Sequence, residues 1–136
     1  MKPGRVRRPA PPPVRPPSDH RRAKGGRAFV EGHGAEWIAA LWLMLKGYQI
    51  LGFRLKTKGA EIDILARKGG VLAVVEVKRR ATLEAALTAL KPAQLERLRA
   101  AGEAVLRQRP GLKGLILRID TVALASGRFP RHRRGL

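Results

Sequence analysis

The first regular pattern of apolar residues along the chain has the spacing of a helix. Its members recur at intervals of three and four residues, and they are Trp37, Ala40, Leu41, Met44 and Leu45. The stripe predicts one helix over residues 33–46, because side chains at this spacing share a face. Gly47 follows and predicts the end of the helix, since glycine readily adopts the left-handed conformation that closes many helices.

Three stretches with the pattern of strands come next. Residues 48–56, 60–67 and 71–79 are predicted as strands, and Gly69 and Gly70 separate the last two. A glycine pair favours two-residue turns with positive φ, which predicts a hairpin. The last of these strands reads Val-Leu-Ala-Val-Val-Glu-Val. This nearly continuous apolar run predicts a central strand that is buried on both faces.

The remaining elements complete an α/β pattern. A helical region is predicted from residue 83 to residue 107, with Pro92 marking a break or the first turn of a new helix. Residues 114–125 alternate in hydropathy and are predicted as the last strand. The element order α-β-β-β-α-β predicts helices that flank a mixed β-sheet.

The glycine turn also sets which charged residues of the hairpin oppose each other. Asp63 is expected opposite Glu76 and Glu61 opposite Lys78, with all four side chains on one face, because side chains alternate along a strand. Two directly opposed carboxylates repel each other. A cation between them is therefore expected, and a divalent metal ion and Lys78 are the candidates.

This arrangement suits metal-assisted cleavage of a phosphodiester bond. Mg²⁺ is held by one or two carboxylates together with water and substrate phosphate, and Asp63 and Glu76 are the candidate ligands. Lys78 is placed to orient the attacking water and to offset developing negative charge, with Glu61 as a salt-bridge partner that holds it. The alternative is a cross-strand ladder of charges on a solvated sheet face, which the spacing alone leaves open.

Charge and composition narrow the class of partner. The 136 residues suffice for one small domain, and the formal net charge is +19. This balance indicates a polyanionic partner, with nucleic acid first and an anionic membrane surface second. The absence of cysteine excludes disulfides and thiolate zinc sites. No apolar run approaches the ~20 residues that span a bilayer, and a cytoplasmic protein is expected.

The basic residues are concentrated at both ends of the chain. Residues 1–28 hold nine Lys or Arg residues against Asp19 alone, and seven of the ten prolines lie in the first 17 residues. This segment is predicted to be a disordered basic tail. Residues 29–125 are predicted to be the folded domain and residues 126–136 a second basic tail. His132, in that second tail, is expected to be solvated.

Several segments together resemble a known family. Glu61-Ile62-Asp63, followed after a glycine turn by Glu76-Val77-Lys78, resembles the PD-(D/E)xK nuclease motif. With the segments 34–36, 47–51 and 118–122, the wider pattern resembles the uncharacterised bacterial YraN-like family. That family is related to this nuclease superfamily and to Holliday-junction resolvases. The resemblance covers about residues 32–124.

The resemblance implies a restriction-endonuclease-like core and a set of site residues. It implies that Asp63 and Glu76 bind Mg²⁺ or Mn²⁺, that Glu36 reaches the same site as a further acidic ligand, and that Lys78 is the water-orienting base. It also implies a homodimer, by analogy with the resolvases.

Residues outside the motif are candidates for contact with nucleic acid. The resemblance implies that Gln94 or Lys91 contacts the scissile phosphate. Arg79 and Arg80 flank the hairpin and are predicted, with neighbouring basic residues, to line a phosphate-binding surface; ordinary solvated charge is the alternative for each. The leading hypothesis is a metal-dependent deoxyribonuclease acting on duplex or branched DNA. A non-catalytic nucleic-acid-binding protein and a polybasic scaffold are the alternatives.

Overall fold

A computed structural model describes residues 34–136, so the predicted tail 1–28 lies outside the described residues. The helices are α1 (Ala35–Leu45), α2 (Leu83–Leu87) and α3 (Pro92–Gln108), and a 3-10 turn follows at Pro110–Leu112. The strands are β1 (Gln49–Lys56), β2 (Glu61–Lys68), β3 (Val71–Arg79), β4 (Ile116–Leu124) and β5 (Arg131–Arg133). They form one mixed sheet in the order β1-β2-β3-β4-β5, with only β3 and β4 parallel. The predicted α/β class is confirmed, and the architecture is compatible with a restriction-endonuclease-like core.

Helices α1 and α3 cover opposite faces of this sheet. Leu43 of α1 belongs to one core cluster and Leu98 of α3 to another, and both residues are buried. Successive residues of β3 alternate between the two clusters: Ala73 and Val75 join the cluster of α1, and Val74 joins that of α3. The prediction that this strand is central and buried on both faces is confirmed.

Glycine determines two of the chain reversals, as the sequence predicts. Gly47 has φ +95°, and its N–H donates to the Met44 carbonyl at 3.0 Å, which ends α1. Gly69 has φ +57° in the turn between β2 and β3. The predicted hairpin register is confirmed from the pair Lys68–Val71 to the pair Ile64–Val75.

The regular alternation of side chains breaks where β1 passes β2 close to the candidate site. Ile64 packs in the core on the α1 side, yet Ile62 packs on the α3 side, although residues two apart in a strand ordinarily share a face. Their partners in β1, Phe53 and Leu55, divide in the same way. Between Phe53 and Leu55 lies Arg54, which has φ +48°. The left-handed Arg54 thus accompanies a change of face directly beside Asp63.

The strain at Arg54 can be measured by a pair of substitutions. Arg54→Gly and Arg54→Ala both remove the guanidinium group, but only alanine keeps a Cβ atom that clashes in the left-handed region. We expect the glycine variant to be the more stable of the two by about 1 kcal/mol, opposite to the usual order in a strand. Urea unfolding of both variants checks this. An alanine variant that equals or exceeds the glycine variant would contradict it.

The C-terminal segment contributes a strand that the sequence analysis missed. Residues 131–133 form β5 against β4, and the Leu136 N–H donates to the Ile119 carbonyl at 2.9 Å. The prediction that His132 is solvated is wrong, because its side chain is 1% exposed. Within residues 34–136, no helix has both the length and the apolar character needed to cross a membrane.

Candidate active site

The candidate site lies where β2 and β3 separate. Backbone pairing of the hairpin ends at Ile64–Val75, one position short of the predicted opposition of Asp63 and Glu76. Instead, Asp63 Oδ2 accepts a hydrogen bond from the Val77 N–H at 2.9 Å. The side chain of Asp63 therefore takes the place of the next ladder contact and is fixed beside the strand that carries Glu76.

Helix α3 contributes Gln94, which joins the two charged residues of β3. Gln94 Nε2 donates to Glu76 Oε2 at 2.9 Å, and Lys78 Nζ donates to Gln94 Oε1 at 3.4 Å. Lys78 Nζ also lies 3.2 Å from Glu76 Oε2, in an ion pair of low exposure. These three side chains hold one another in a triangle, which leaves the second oxygen of Glu76 outside these contacts.

The protonation of Asp63 reflects its neighbours. Burial, then the negative charge of Glu76, raises the pKa of Asp63 to about 8, and the hydrogen bond from the Val77 N–H opposes this only in part. A nearby Glu36 and a hydrogen bond between the two carboxyl groups act in the same direction as Glu76. Without a cation, Asp63 is therefore largely protonated at neutral pH.

This raised pKa makes the stability of the metal-free protein depend on pH. The folded-state pKa of Asp63 exceeds its ordinary value of 3.8, so the folded state holds this proton more tightly than the unfolded state does. The resulting contribution to the free energy of unfolding is fully present below about pH 4 and is lost as the pH rises through about 8. We expect a difference in slope between wild type and Asp63→Asn of up to about 1.4 kcal/mol per pH unit. Urea unfolding with EDTA at several pH values measures it. Parallel curves for the two proteins would contradict it.

Glu36 is a further acid near the site. It belongs to α1, which covers the face of the sheet opposite to α3, the helix that carries Gln94. Burial raises the pKa of Glu36; Arg54 opposes this, while the charges of Glu61 and Glu76 add to it. Arg54 Nη1 lies 4.0 Å from Glu36 Oε1. That buried oxygen accepts no hydrogen bond from the described residues. An acidic oxygen in this state is available to a cation.

The donor set fits a divalent metal bound by few protein ligands. Asp63, Glu76 and Glu36 offer only carboxylate oxygens, which are the ligands of Mg²⁺ and Mn²⁺. Within residues 34–136, no three Asp, Glu, His or Cys side chains are grouped closely enough to form a metal-binding set. A site with one or two carboxylates and water as the other ligands is the form that agrees with this geometry.

The other predicted site residues have different positions. Glu61 is exposed and pairs with Lys56 in the ladder of β1 and β2, while the ladder of β2 and β3 ends before it reaches Glu61 and Lys78. The charge of Glu61 acts on Glu36. Arg79, Arg80 and Lys91 are exposed, which is the placement that contact with a large polyanion requires, and Lys91 is the residue before α3. The structure brings Gln94 to Glu76 and Lys78, within the candidate site.

A second charged cluster, which the sequence analysis did not assemble, lies on the α1 face of β4. Asp120 is fully buried and accepts hydrogen bonds from Arg118 at 2.8 and 2.9 Å and from the Gly135 N–H at 3.1 Å. His132 Nε2 lies 2.8 Å from the Asp120 carboxylate, and His132 Nδ1 lies 2.6 Å from Lys46 Nζ. Burial opposes ionisation of Asp120, but these hydrogen bonds outweigh it and lower its pKa.

This second cluster fastens the C-terminal segment to the sheet. One feature of the sequence could have indicated this cluster: Asp120 lies inside the apolar strand 116–124, and a buried acid requires partners. Its partners could not be read from the pattern, because His132 belongs to a short basic segment and Lys46 is 86 residues away in sequence.

Comparison with known proteins agrees with the resemblance found in the sequence. Residues 35–124 match the model of an uncharacterised protein family, UPF0102. A UPF0102 protein of Caulobacter vibrioides is 57% identical over 112 residues, which are 82% of this chain and 90% of that protein. One from Caulobacter sp. is 54% identical over 121 residues, covering 88% and 87%. One from Brucella canis is 43% identical over 111 residues, covering 82% and 88%. The chain belongs to the uncharacterised protein family UPF0102.

Proposed function

We propose that this protein is a divalent-metal-dependent deoxyribonuclease that hydrolyses phosphodiester bonds in duplex or branched DNA. The observation that carries the proposal is the pair of adjacent carboxyl groups of Asp63 and Glu76, which raise each other's energy when both are charged. Such a pair is unfavourable in a structural role, because like charges at short distance destabilise the fold. A bound cation would convert it into a favourable arrangement.

The residues around this pair have roles that suit hydrolysis. A divalent ion bound there would neutralise the phosphate and lower the pKa of its water ligand. The Lys78 ammonium group orients the attacking water and offsets the negative charge that develops on the phosphate oxygens. Gln94 keeps Glu76 and Lys78 in place through its two hydrogen bonds. The positive charge of the chain favours DNA as the substrate.

The direct test uses purified protein and labelled DNA. Linear duplex, single-stranded and four-way-junction DNA are incubated with Mg²⁺ or Mn²⁺, and products are resolved on a denaturing gel. We expect metal-dependent cleavage of duplex or junction DNA that EDTA abolishes. Failure to cut any of the three substrates in either metal would refute the proposal. Size measurement with and without junction DNA tests the homodimer that the family resemblance implies.

A second candidate function is non-catalytic binding of nucleic acid by a chain that keeps the nuclease fold. It is favoured by the ion pair of Lys78 with Glu76, because the lysine balances the negative charge of the Glu76 carboxylate without a metal. It predicts salt-sensitive DNA binding that survives Asp63→Asn, with no hydrolysis of any substrate.

A further inference from the structure

A large open groove runs beside the candidate site, between the edge of the sheet and a helix. One wall is β1 with the turn that follows it, over residues 50–59, and the other wall is α3 from Arg97 onward together with Arg109, the residue after the helix. Its volume is about 1700 Å³. The helix leaves this space open because small side chains, Ala100 and Ala104, occupy the turns that face β1.

The charge of the groove is strongly positive. Six basic residues and a single acid, Glu61, are among its lining residues. The basic residues are Arg54, Lys56, Lys58, Arg97, Arg107 and Arg109. They are contributed by both walls, so a ligand in the groove meets cations on two sides. Phe53 is the single aromatic residue of the lining and is 7% exposed, which disfavours recognition by base stacking.

Two lining residues link the groove to the candidate active site. Arg54 and Glu61 line the groove, and both also act electrostatically on Glu36. A chain of phosphates that contacts Arg54 in the groove would therefore pass near Glu36, one of the acids proposed to bind metal. No motif residue of the hairpin other than Glu61 lines it, so the surface is separate from the groups that would perform the chemistry.

We propose that this groove binds one sugar–phosphate strand of DNA and guides it to the candidate site. The choice of DNA as ligand rests on the proposed function, whereas the charge and shape of the groove do not. Two basic walls without an accessible stacking platform suit contact with the phosphate backbone, which is independent of sequence. Phosphate contacts of this kind position a nucleic acid and make its affinity depend on salt.

Two triple variants with equal loss of charge test the groove. Lys58→Ala/Arg97→Ala/Arg107→Ala removes three exposed cations from its walls. The control, Lys113→Ala/Arg128→Ala/Arg131→Ala, removes three exposed cations that lie outside it. Binding of the full chain to labelled duplex DNA is measured by fluorescence anisotropy in EDTA, from about 50 mM to about 200 mM salt. Thermal unfolding verifies that each variant is folded.

We expect the groove variant to bind at least about tenfold more weakly at the lower salt concentration, and its salt slope to fall by roughly 2 to 3. The control is expected to stay close to wild type. Equal weakening of both triple variants, or unchanged binding of the groove variant, would overturn the proposal.

A steric variant supplies evidence that does not depend on charge. Ala100→Phe places a large side chain at an exposed position in the groove and leaves the net charge unchanged. We expect several-fold weaker binding with an unaltered salt slope; wild-type affinity would count against the groove. Because EDTA prevents metal-dependent hydrolysis, these results are separate from cleavage. If binding depends on the groove but the protein cuts no DNA, the proposed function is refuted and the groove proposal is retained.

Discussion

Replacing Asp63 with asparagine is expected to slow metal-dependent DNA cleavage by at least about 10³-fold, the equivalent of the several kcal/mol that a catalytic metal contributes. The amide keeps an oxygen that can accept from the Val77 N–H, so the local fold is expected to survive. It removes the charge that would bind the metal. Single-turnover cleavage of labelled DNA at saturating protein measures the rate.

Glu61→Gln is the matched control for this substitution. Glu61 is an acid of the same strand, two residues from Asp63, but it is exposed and pairs with Lys56. We expect the Glu61→Gln rate to remain within about threefold of wild type, because Glu61 is exposed and its charge, which acts on Glu36, is screened by solvent and salt. Similar losses in both variants would indicate a general electrostatic effect, and an unaffected Asp63→Asn rate would exclude Asp63 as a metal ligand.

Replacing Asp120 with alanine is expected to lower the free energy of unfolding by about 3–5 kcal/mol, as for other broken buried ion pairs. The substitution leaves the Arg118 guanidinium, the His132 imidazole and the Gly135 N–H without their shared acceptor. It should also release β5 from β4, since Asp120 contacts His132 within β5 and the Gly135 N–H that follows it. Urea unfolding followed by tryptophan fluorescence measures the change.

Glu103→Ala provides the control for the loss of one negative charge. Glu103 is exposed on α3, and its replacement is expected to change stability by no more than about 0.5 kcal/mol. A loss below about 1 kcal/mol for Asp120→Ala would contradict the role assigned to the buried cluster. Hydrogen exchange at Leu136 and the residues of β5 would show whether the C-terminal segment is released.

Much of the fold follows from local signals that the sequence displays clearly. The apolar stripe of α1, its end at Gly47 and the hairpin at Gly69 each depend on neighbouring residues, so pattern and turn chemistry suffice to predict them. Strand β5 has no such signal. Its three residues, Arg-His-Arg, are polar, and the middle one, His132, is held by contacts with Asp120 and Lys46 that only the folded chain brings together.

The residues of the candidate site could be proposed from the sequence, but their arrangement could be predicted only in part. The predicted register of the hairpin holds as far as the pair Ile64–Val75; beyond it, Asp63 accepts from the Val77 N–H instead of pairing opposite Glu76. Strict alternation also led to the expectation that Glu61 would face Lys78. The ladder of β2 and β3 ends before that pair, and the faces of β1 and β2 change beside Arg54, where a non-glycine residue adopts positive φ. A backbone conformation that its own residue type disfavours is set by the tertiary structure and cannot be read from a pattern.

The central claim, that Asp63 and Glu76 bind a divalent metal ion, is tested most directly by crystals of the protein soaked in Mn²⁺. Anomalous diffraction locates the ion independently of any assumed ligand. We predict a peak between the carboxyl groups of Asp63 and Glu76 that disappears in crystals of Asp63→Asn. Absence of a peak there in wild-type crystals at high Mn²⁺ concentration, with both side chains ordered, would contradict the claim.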